Sequence, residues 1–378
     1  METIDTTISK YKRVTIKIGS VLLIDAKTGT VNQEWLTGLV QDVAQYTKQG
    51  MQIIIVSSGA IALGRERLSL QKQPLTMAQK QACAAVGQAL LIQAYESTFR
   101  TKGIIAAQAL LTINDTENRS RWINAKNTLE ALLTLGTIPI INENDTIATD
   151  EIRYGDNDRL AARVAQMLSS DCLVLLSDID GLYNKDPRTH ADAKHIPYIS
   201  KITQDIMDMG GSANYQRGTG TGGMKTKLMA AKIATSAGCS VVITKGDRTN
   251  PIAALDDSKT RSSWFETHTS PILARKQWIA NSLRISGSVW IDQGAEKALQ
   301  DGGSLLAAGV TKVSGNFSIG EPIAIKNHEG KALGKGLISY SLQDTMRIRG
   351  KHSGKIKEIL GFSNGSALIH RDNMALFT

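Results

Sequence analysis

Six short apolar runs, at 13–18, 52–56, 104–111, 138–141, 172–176 and 240–244, alternate with longer stretches of helical period at 34–48, 77–100, 119–135, 157–169 and 224–237. No other feature limits the fold as tightly. Most of the runs are rich in Ile, Val and Leu without polar alternation, the pattern of strands covered on both faces. Strand, helix and strand in succession close through right-handed crossovers, so the repeat predicts an α/β chain with a mostly parallel sheet between helical layers. Gly50, Gly103, Gly136 and Gly238 each separate a helical stretch from the next strand, where a left-handed residue ends a helix. In open sheets of this kind ligands sit beyond the carboxyl ends of the strands, so chemistry is sought directly after each apolar run.

The pattern changes after about residue 246. Pro271 and a polar stretch without period suggest a linker over 263–282, between an α/β domain at 1–262 and a β-rich module at 283–378. In that module short strand-like runs at 288–291, 312–313, 322–326, 337–340 and 367–370 are separated by glycine-containing turns. A length of 378 residues, 42% of them hydrophobic, supports two such cores. With 33 Gly and 7 Pro, collagen-like and Pro-rich disordered classes are excluded. Forty-four Lys and Arg against 35 Asp and Glu leave +9, which favours phosphorylated metabolites, acidic small molecules or nucleic acid without choosing among them. Cys83, Cys172 and Cys239 are far apart and form no CxxC, so neither a disulfide framework nor a zinc knuckle is readable, and they are expected to be buried. The polar start METIDTTISKYKR lacks the apolar core of a signal peptide, and no run approaches a membrane span of about 18 apolar residues. The expectation is a soluble cytoplasmic protein with no membrane partner.

Several strand ends carry groups that could do chemistry. The first leads into Lys17-Ile18-Gly19-Ser20, a cation beside a turn that can approach phosphate or simply be solvated. The second leads into Ser57-Ser58-Gly59-Ala60, small residues that either offer helix N-terminal amides to an anion or cap a helix with serine. After the fourth come Asn142-Glu143-Asn144-Asp145 and then Gly155-Asp156-Asn157-Asp158, a density of carboxylates and carboxamides suited to a zwitterionic amino acid or to a solvated loop. The fifth ends in Ser177-Asp178. The strongest signal is Gly218-Thr219-Gly220-Thr221-Gly222-Gly223-Met224-Lys225-Thr226-Lys227, opening a helix. Lysines in a first helical turn oppose the macrodipole unless an anion such as a triphosphate sits there. The glycine spacing satisfies GxGxxG, but no apolar strand precedes it, and Met224 stands where a Walker A loop needs glycine. All six His lie at 190 or later, so the strand ends supply no histidine base. A carboxylate acceptor needs none, being ionised at neutral pH with a pKa of about 4. The pattern therefore suits phosphoryl transfer to a carboxylate, with no protein metal cluster and Mg²⁺ carried on nucleotide phosphates.

Taken in order, KIGS, VSSGAIALGRERL, INENDTIA, GDND, LLSDIDGLYNKDPR and GTGGMKTK resemble the blocks of the amino-acid kinase family. Within it they are similar to the members that phosphorylate the γ-carboxylate of L-glutamate, and SLLAAGVTKVSGNFSIGE and ALIHRDNM resemble the PUA domain. The resemblance implies a three-layer amino-acid-kinase sandwich making γ-glutamyl phosphate from ATP and L-glutamate, the first step of proline biosynthesis. It implies that Lys17 and Lys227 act on the transferring phosphoryl group and that Asp158 holds both. Ser58, Asp145 and Asn157 would bind glutamate, with Gly59 and Ala60 supplying backbone. Lys17, Ser177, Asp178 and the loop Thr221, Gly222, Gly223, Met224, Lys225, Thr226 and Lys227 would bind the nucleotide; Ser177 stands where relatives often carry Thr. A homo-oligomer, feedback inhibition by proline and handover to glutamate-5-semialdehyde dehydrogenase are implied as well. The alternative is RNA binding through the PUA-like module, whose stretch 345–357 is basic and free of acids but lacks an aromatic for stacking.

Overall fold

The computed structural model describes residues 7–71, 73–148, 157–211, 223–267, 269–281 and 285–377. They form two compact units, one within 1–117 and 124–271, the other within 118–123 and 272–378.

The first unit begins with β1 (Arg13–Ile18), α1 (Ser20–Leu23), α2 (Gln33–Lys48), β2 (Gln52–Ser57), α3 (Ala60–Arg67), α4 (Met77–Arg100), β3 (Ala106–Leu111), α5 (Ile113–Glu117) and α6 (Arg119–Thr134). It continues through β4 (Ile138–Glu143), α7 (Asn157–Leu168), β5 (Cys172–Ser177), β6 (Leu182–Tyr183), β7 (His195–Ile196), β8 (Tyr198–Ile199), α8 (Gln204–Asp208), α9 (Met224–Ser236), β9 (Ser240–Lys245) and β10 (Ser262–Phe265). An eight-stranded sheet has the order β3-β4-β2-β1-β5-β9-β10-β8. The six strands expected from the apolar runs are mutually parallel. β10 pairs antiparallel with β9, and β8 lies parallel to β10. Neither of these two short strands was expected. β10 falls in the span taken for a linker because Ser263 reads as polar, yet it is fully buried. Its hydroxyl donates to Ile196 O and accepts from Leu182 N–H, so a strand position carries a serine at no cost in unpaired groups.

Alternation along β1 sorts its side chains. Val14, Ile16 and Ile18 enter a core with Leu36, Leu39 and Val43 of α2 and Leu91, Tyr95 and Phe99 of α4. Thr15 and Lys17 face the opposite side, towards α7. On the first side α3 and α4 meet backbone to backbone. A Cβ on Gly87 would lie 1.7 Å from Ala60 O, and one on Gly64 would lie 1.8 Å from Cys83 O. Cys83, Cys172 and Cys239 are buried free thiols.

The second unit contains α10 (Pro271–Asn281), β11 (Gly287–Ile291), α11 (Gln293–Gln300), β12 (Leu305–Leu306), β13 (Val310–Gly315), β14 (Pro322–Lys326), β15 (Ala332–Leu337), α12 (Leu342–Ile348), α13 (Ile356–Leu360), β16 (Ala367–Ile369) and β17 (Met374–Leu376). α10 thus occupies the rest of the span read as linker, with proline in the first helical position that suits it. A five-stranded sheet runs β13-β11-β14-β15-β17, with β12 and β16 paired beside it. Val289, Ile291, Phe317, Ile323, Ile325, Tyr340 and Leu368 share its core. The strand expected at 337–340 lies instead at 332–337. Gly334 and Gly336 read as turn residues, but each admits a close neighbour. A Cβ would stand 2.4 Å from Ala375 O at Gly334 and 2.6 Å from Ile369 Cγ2 at Gly336. The basic stretch 345–357 is interrupted by Thr345, Ile348 and Ile356, all fully buried, so it does not present one continuous basic face.

Candidate active site

Lys17 is the penultimate residue of β1, held between Val56 of β2 and Leu175 of β5. Its ammonium lies 2.7 Å from Asp158 Oδ1, and that of Lys227, in the first turn of α9, lies 3.1 Å from Oδ2 of the same carboxylate. Exposures of 6%, 1% and 5% for Lys17, Asp158 and Lys227 put the whole cluster out of water. Burial alone would push the Asp158 carboxyl up. The two ammonium groups outweigh it and hold the group well below the usual carboxylate range. Asp158 thus holds two ammonium groups side by side and out of water, an arrangement suited to an anion. Thr226 places its hydroxyl 3.0 Å from Asp158 Oδ2 and 2.8 Å from Gly223 O.

α9 begins at Gly223, whose backbone is extended, with no side-chain cap. Among the described residues nothing lies within 4 Å of the point where a Cβ on Gly223 would be. A first turn with no side-chain cap, beside two ammonium groups, offers backbone N–H groups suited to a phosphate. Met224 is half-buried and Lys225 exposed; neither takes part in the lysine–aspartate cluster. Thr221 and Gly222 lie outside the described residues, as do Gly155, Asp156, Gly218 and Gly220. Ser177 is buried at the end of β5, and its hydroxyl donates to Oδ1 of the exposed Asp178 at 3.1 Å.

On the other side of the cluster, Asn157 precedes Asp158 at the start of α7. Its Nδ2 shares two N–H groups among three acceptors, Ser57 O at 2.9 Å, Ser58 Oγ at 2.7 Å and Asn142 Oδ1 at 3.0 Å. Among the described residues Asn157 Oδ1 is buried with no hydrogen-bond partner. Ser58 is therefore an acceptor for Asn157, and not the cap of α3: that position belongs to Gly59, at φ +117°, with Ala60 opening the helix. Asp145 sits in the turn after β4, where burial pushes its carboxyl up to about 6. It lines a cleft of about 420 Å³ together with Gln88, Gln108, Leu110 and Glu143. The structure thus gathers Lys17, Lys227 and Asp158 in one contact, joins Ser58 to Asn157, and sets Asp145 on a neighbouring cleft. Ser57 and Asn142 were named only as members of their strand-end runs, with no role, and Gln88 was not named. Asn142 stood in the polar run after β4, but nothing in the sequence marked Gln88 on its helix.

Comparison with known proteins agrees with this architecture. The pattern of the amino acid kinase family matches residues 12–245, and that of the PUA domain matches 287–360. The glutamate 5-kinase of Ruegeria sp. (strain TM1040) is 49% identical over 369 residues, 98% of this chain and 99% of that relative. That of Bartonella henselae is 50% identical over 366 residues, 97% and 96% respectively. The chain belongs to the glutamate 5-kinase branch of the amino acid kinase family. A crystal structure of UMP kinase from Ureaplasma parvum resembles it with a TM-score of 0.47 and 14% identity, covering 68% of this chain and 99% of that one. The amino acid kinase match runs from the residue before β1 to the end of β9, so β10 lies outside it. The PUA match begins with β11 and closes with α13. Among the described residues no helix is long and apolar enough to cross a membrane.

Proposed function

We propose that this chain transfers the γ-phosphoryl group of ATP to the γ-carboxylate of L-glutamate, giving γ-glutamyl phosphate and opening proline biosynthesis. The observation that carries the reading is the buried Lys17–Asp158–Lys227 cluster, in which one carboxylate holds two ammonium groups side by side. A migrating phosphoryl group spreads negative charge over its oxygens, and two fixed ammonium groups favour that distribution over the ground state. The acceptor is ionised at neutral pH and needs no base, so positioning and charge neutralisation suffice. Asp158 holds both ammonium groups in place.

ATP lies along the start of α9, with Ser177 and Asp178 at the end of β5 beside it. Mg²⁺ stays on the nucleotide phosphates and neutralises part of their charge; the cluster's carboxylate is already shared by two ammonium groups and is no cation site. Glutamate is held by Ser58, Asp145 and Asn157, with the Gly59 and Ala60 backbone close by. The buried acceptor Asn157 Oδ1 and the Asp145 carboxylate suit an ammonium group. We assign residues 1–262 to catalysis, 263–282 to the connection and 283–378 to a PUA-like regulatory module. Assembly of several copies, inhibition by proline, handover of the labile acyl phosphate to glutamate-5-semialdehyde dehydrogenase and a cytoplasmic site complete the proposal.

A coupled ADP-release assay tests it, with hydroxylamine trapping of the acyl phosphate and proline as inhibitor. Glutamate-dependent ADP release with a trapped hydroxamate supports the reading. Faster turnover of N-acetylglutamate, or ADP release without hydroxamate, overturns it.

A further inference from the structure

Three carboxamides, Asn157, Asn142 and Gln88, are hydrogen-bonded in a row beside the substrate side of the site. Each has a donor end and an acceptor end, and two backbone groups decide which way they point. The Glu143 N–H donates to Asn142 Oδ1 at 2.8 Å, and the Ser57 carbonyl accepts from Asn157 Nδ2 at 2.9 Å. A peptide N–H cannot accept and a carbonyl cannot donate, so turning either amide over would lose a bond and create a repulsion. The two orientations agree where the amides meet, Asn157 Nδ2 donating to Asn142 Oδ1 at 3.0 Å.

The consequence reaches α4. Asn142 Nδ2 faces Gln88 and donates to its Oε1 at 2.8 Å. With Oε1 engaged, the amide end of Gln88 that remains for the cleft it lines is Nε2, a donor. At the far end of the row the reverse holds: Asn157 has spent its donors and keeps a buried acceptor. The row therefore offers a donor at Gln88 and an acceptor at Asn157, polarities matching the carboxylate and the ammonium of an amino acid. Gly87, packed against Ala60 O, fixes the height of Gln88 on the cleft.

We propose that Gln88 is a specificity-determining substrate residue whose Nε2 donates to the α-carboxylate of the bound amino acid while Asn157 Oδ1 and Asp145 take its ammonium. The inference rests on the glutamate-kinase reading and deepens it. A neutral amide suits this place better than lysine. Asp145 and Glu143 line the same cleft, and a lysine would pair with them in competition with the substrate's own ammonium.

The test is Gln88→Glu, an isosteric change that keeps an acceptor for Asn142 and replaces the donor by a carboxylate. Steady-state kcat/KM is measured for L-glutamate and for L-glutamate α-amide, each with ATP. In the variant, kcat/KM for glutamate should fall by roughly 30-fold or more, mainly through KM, while the α-amide loses far less. The preference for glutamate over its α-amide should thus shrink by about tenfold, with the KM for ATP within about twofold of the parent value. An unchanged preference ratio overturns the inference, as does a rise in the KM for ATP equal to that for glutamate. Should Gln88→Glu fail to fold by thermal melting, Gln88→Met is read for the same ratio, with a loss of about fivefold expected and no change overturning the proposal. A parent protein inactive on glutamate would instead overturn the function proposed above, so the two failures are distinguishable.

Discussion

Lys17, Asp158 and Lys227 sit on three different elements, and each was visible as a residue worth naming at a strand end or helix start. Their convergence, within 2.7 and 3.1 Å, was implied by the family resemblance and not by composition or spacing. Lys227→Ala should lower kcat by about 10²–10³, the usual loss for one preorganised charge stabiliser, which the coupled ADP assay reads directly. Asp158→Asn removes the carboxylate that the Lys17 and Lys227 ammonium groups share and should cost about 3–5 kcal/mol in denaturant unfolding. Because the Asp158 carboxyl is depressed, its stabilisation is in place above the ordinary carboxylate range and is lost as pH falls through its own lower value. Asp145 has the opposite sign. Raised to about 6, it favours the fold most below the ordinary carboxylate range, and that contribution is lost as pH rises through about 6. The charged form is the one that grips an ammonium, so kcat/KM for glutamate should fall about tenfold per pH unit below about 6. In Asp145→Asn the level should be low and this limb flat, in a pH profile run from 5 to about 8.

Among elements, although β3 at the sheet edge is largely half-buried or exposed, the six short apolar runs and the five helical stretches were legible because period and burial agree in the rest: a strand covered on both faces is mostly apolar. β10 and β15 were not, since Ser263 is satisfied by groups more than 60 residues away and the glycines of β15 are demanded by neighbouring backbone. The pairing of α3 with α4 belongs to the same class. Gly87→Ala would force a methyl onto Ala60 O, at the turn that carries Ser58 and Gly59. Overpacking of this kind should cost about 1–3 kcal/mol and raise the KM for glutamate, with the KM for ATP little changed. A thermal melt and a glutamate titration read the two effects, and an unshifted melting temperature would show that α4 gives way.

At the scale of the molecule, the net charge of +9 admitted nucleic acid as a partner as readily as a nucleotide. Folding divides the basic stretch 345–357 between α12 and α13 and buries three of its residues. Filter binding of single-stranded RNA across a salt series should therefore show weak affinity without a steep salt slope; a steep one would mean that several phosphates are tracked. The contiguous division into 1–262 and 283–378 missed that 118–123 gathers with the C-terminal unit, because chain order says nothing about which core a helix end joins.

Linear order alone determined that the main strands run parallel and where helices stop at glycine, since these follow from local period and from backbone freedom at single residues. Only the folded chain decided the direction of the amide row from Asn157 to Gln88, the distances at which two lysines share Asp158 and the shift of Asp145. Each of those depends on which groups meet out of water, where an unpaired donor or charge is expensive enough to dictate its neighbour.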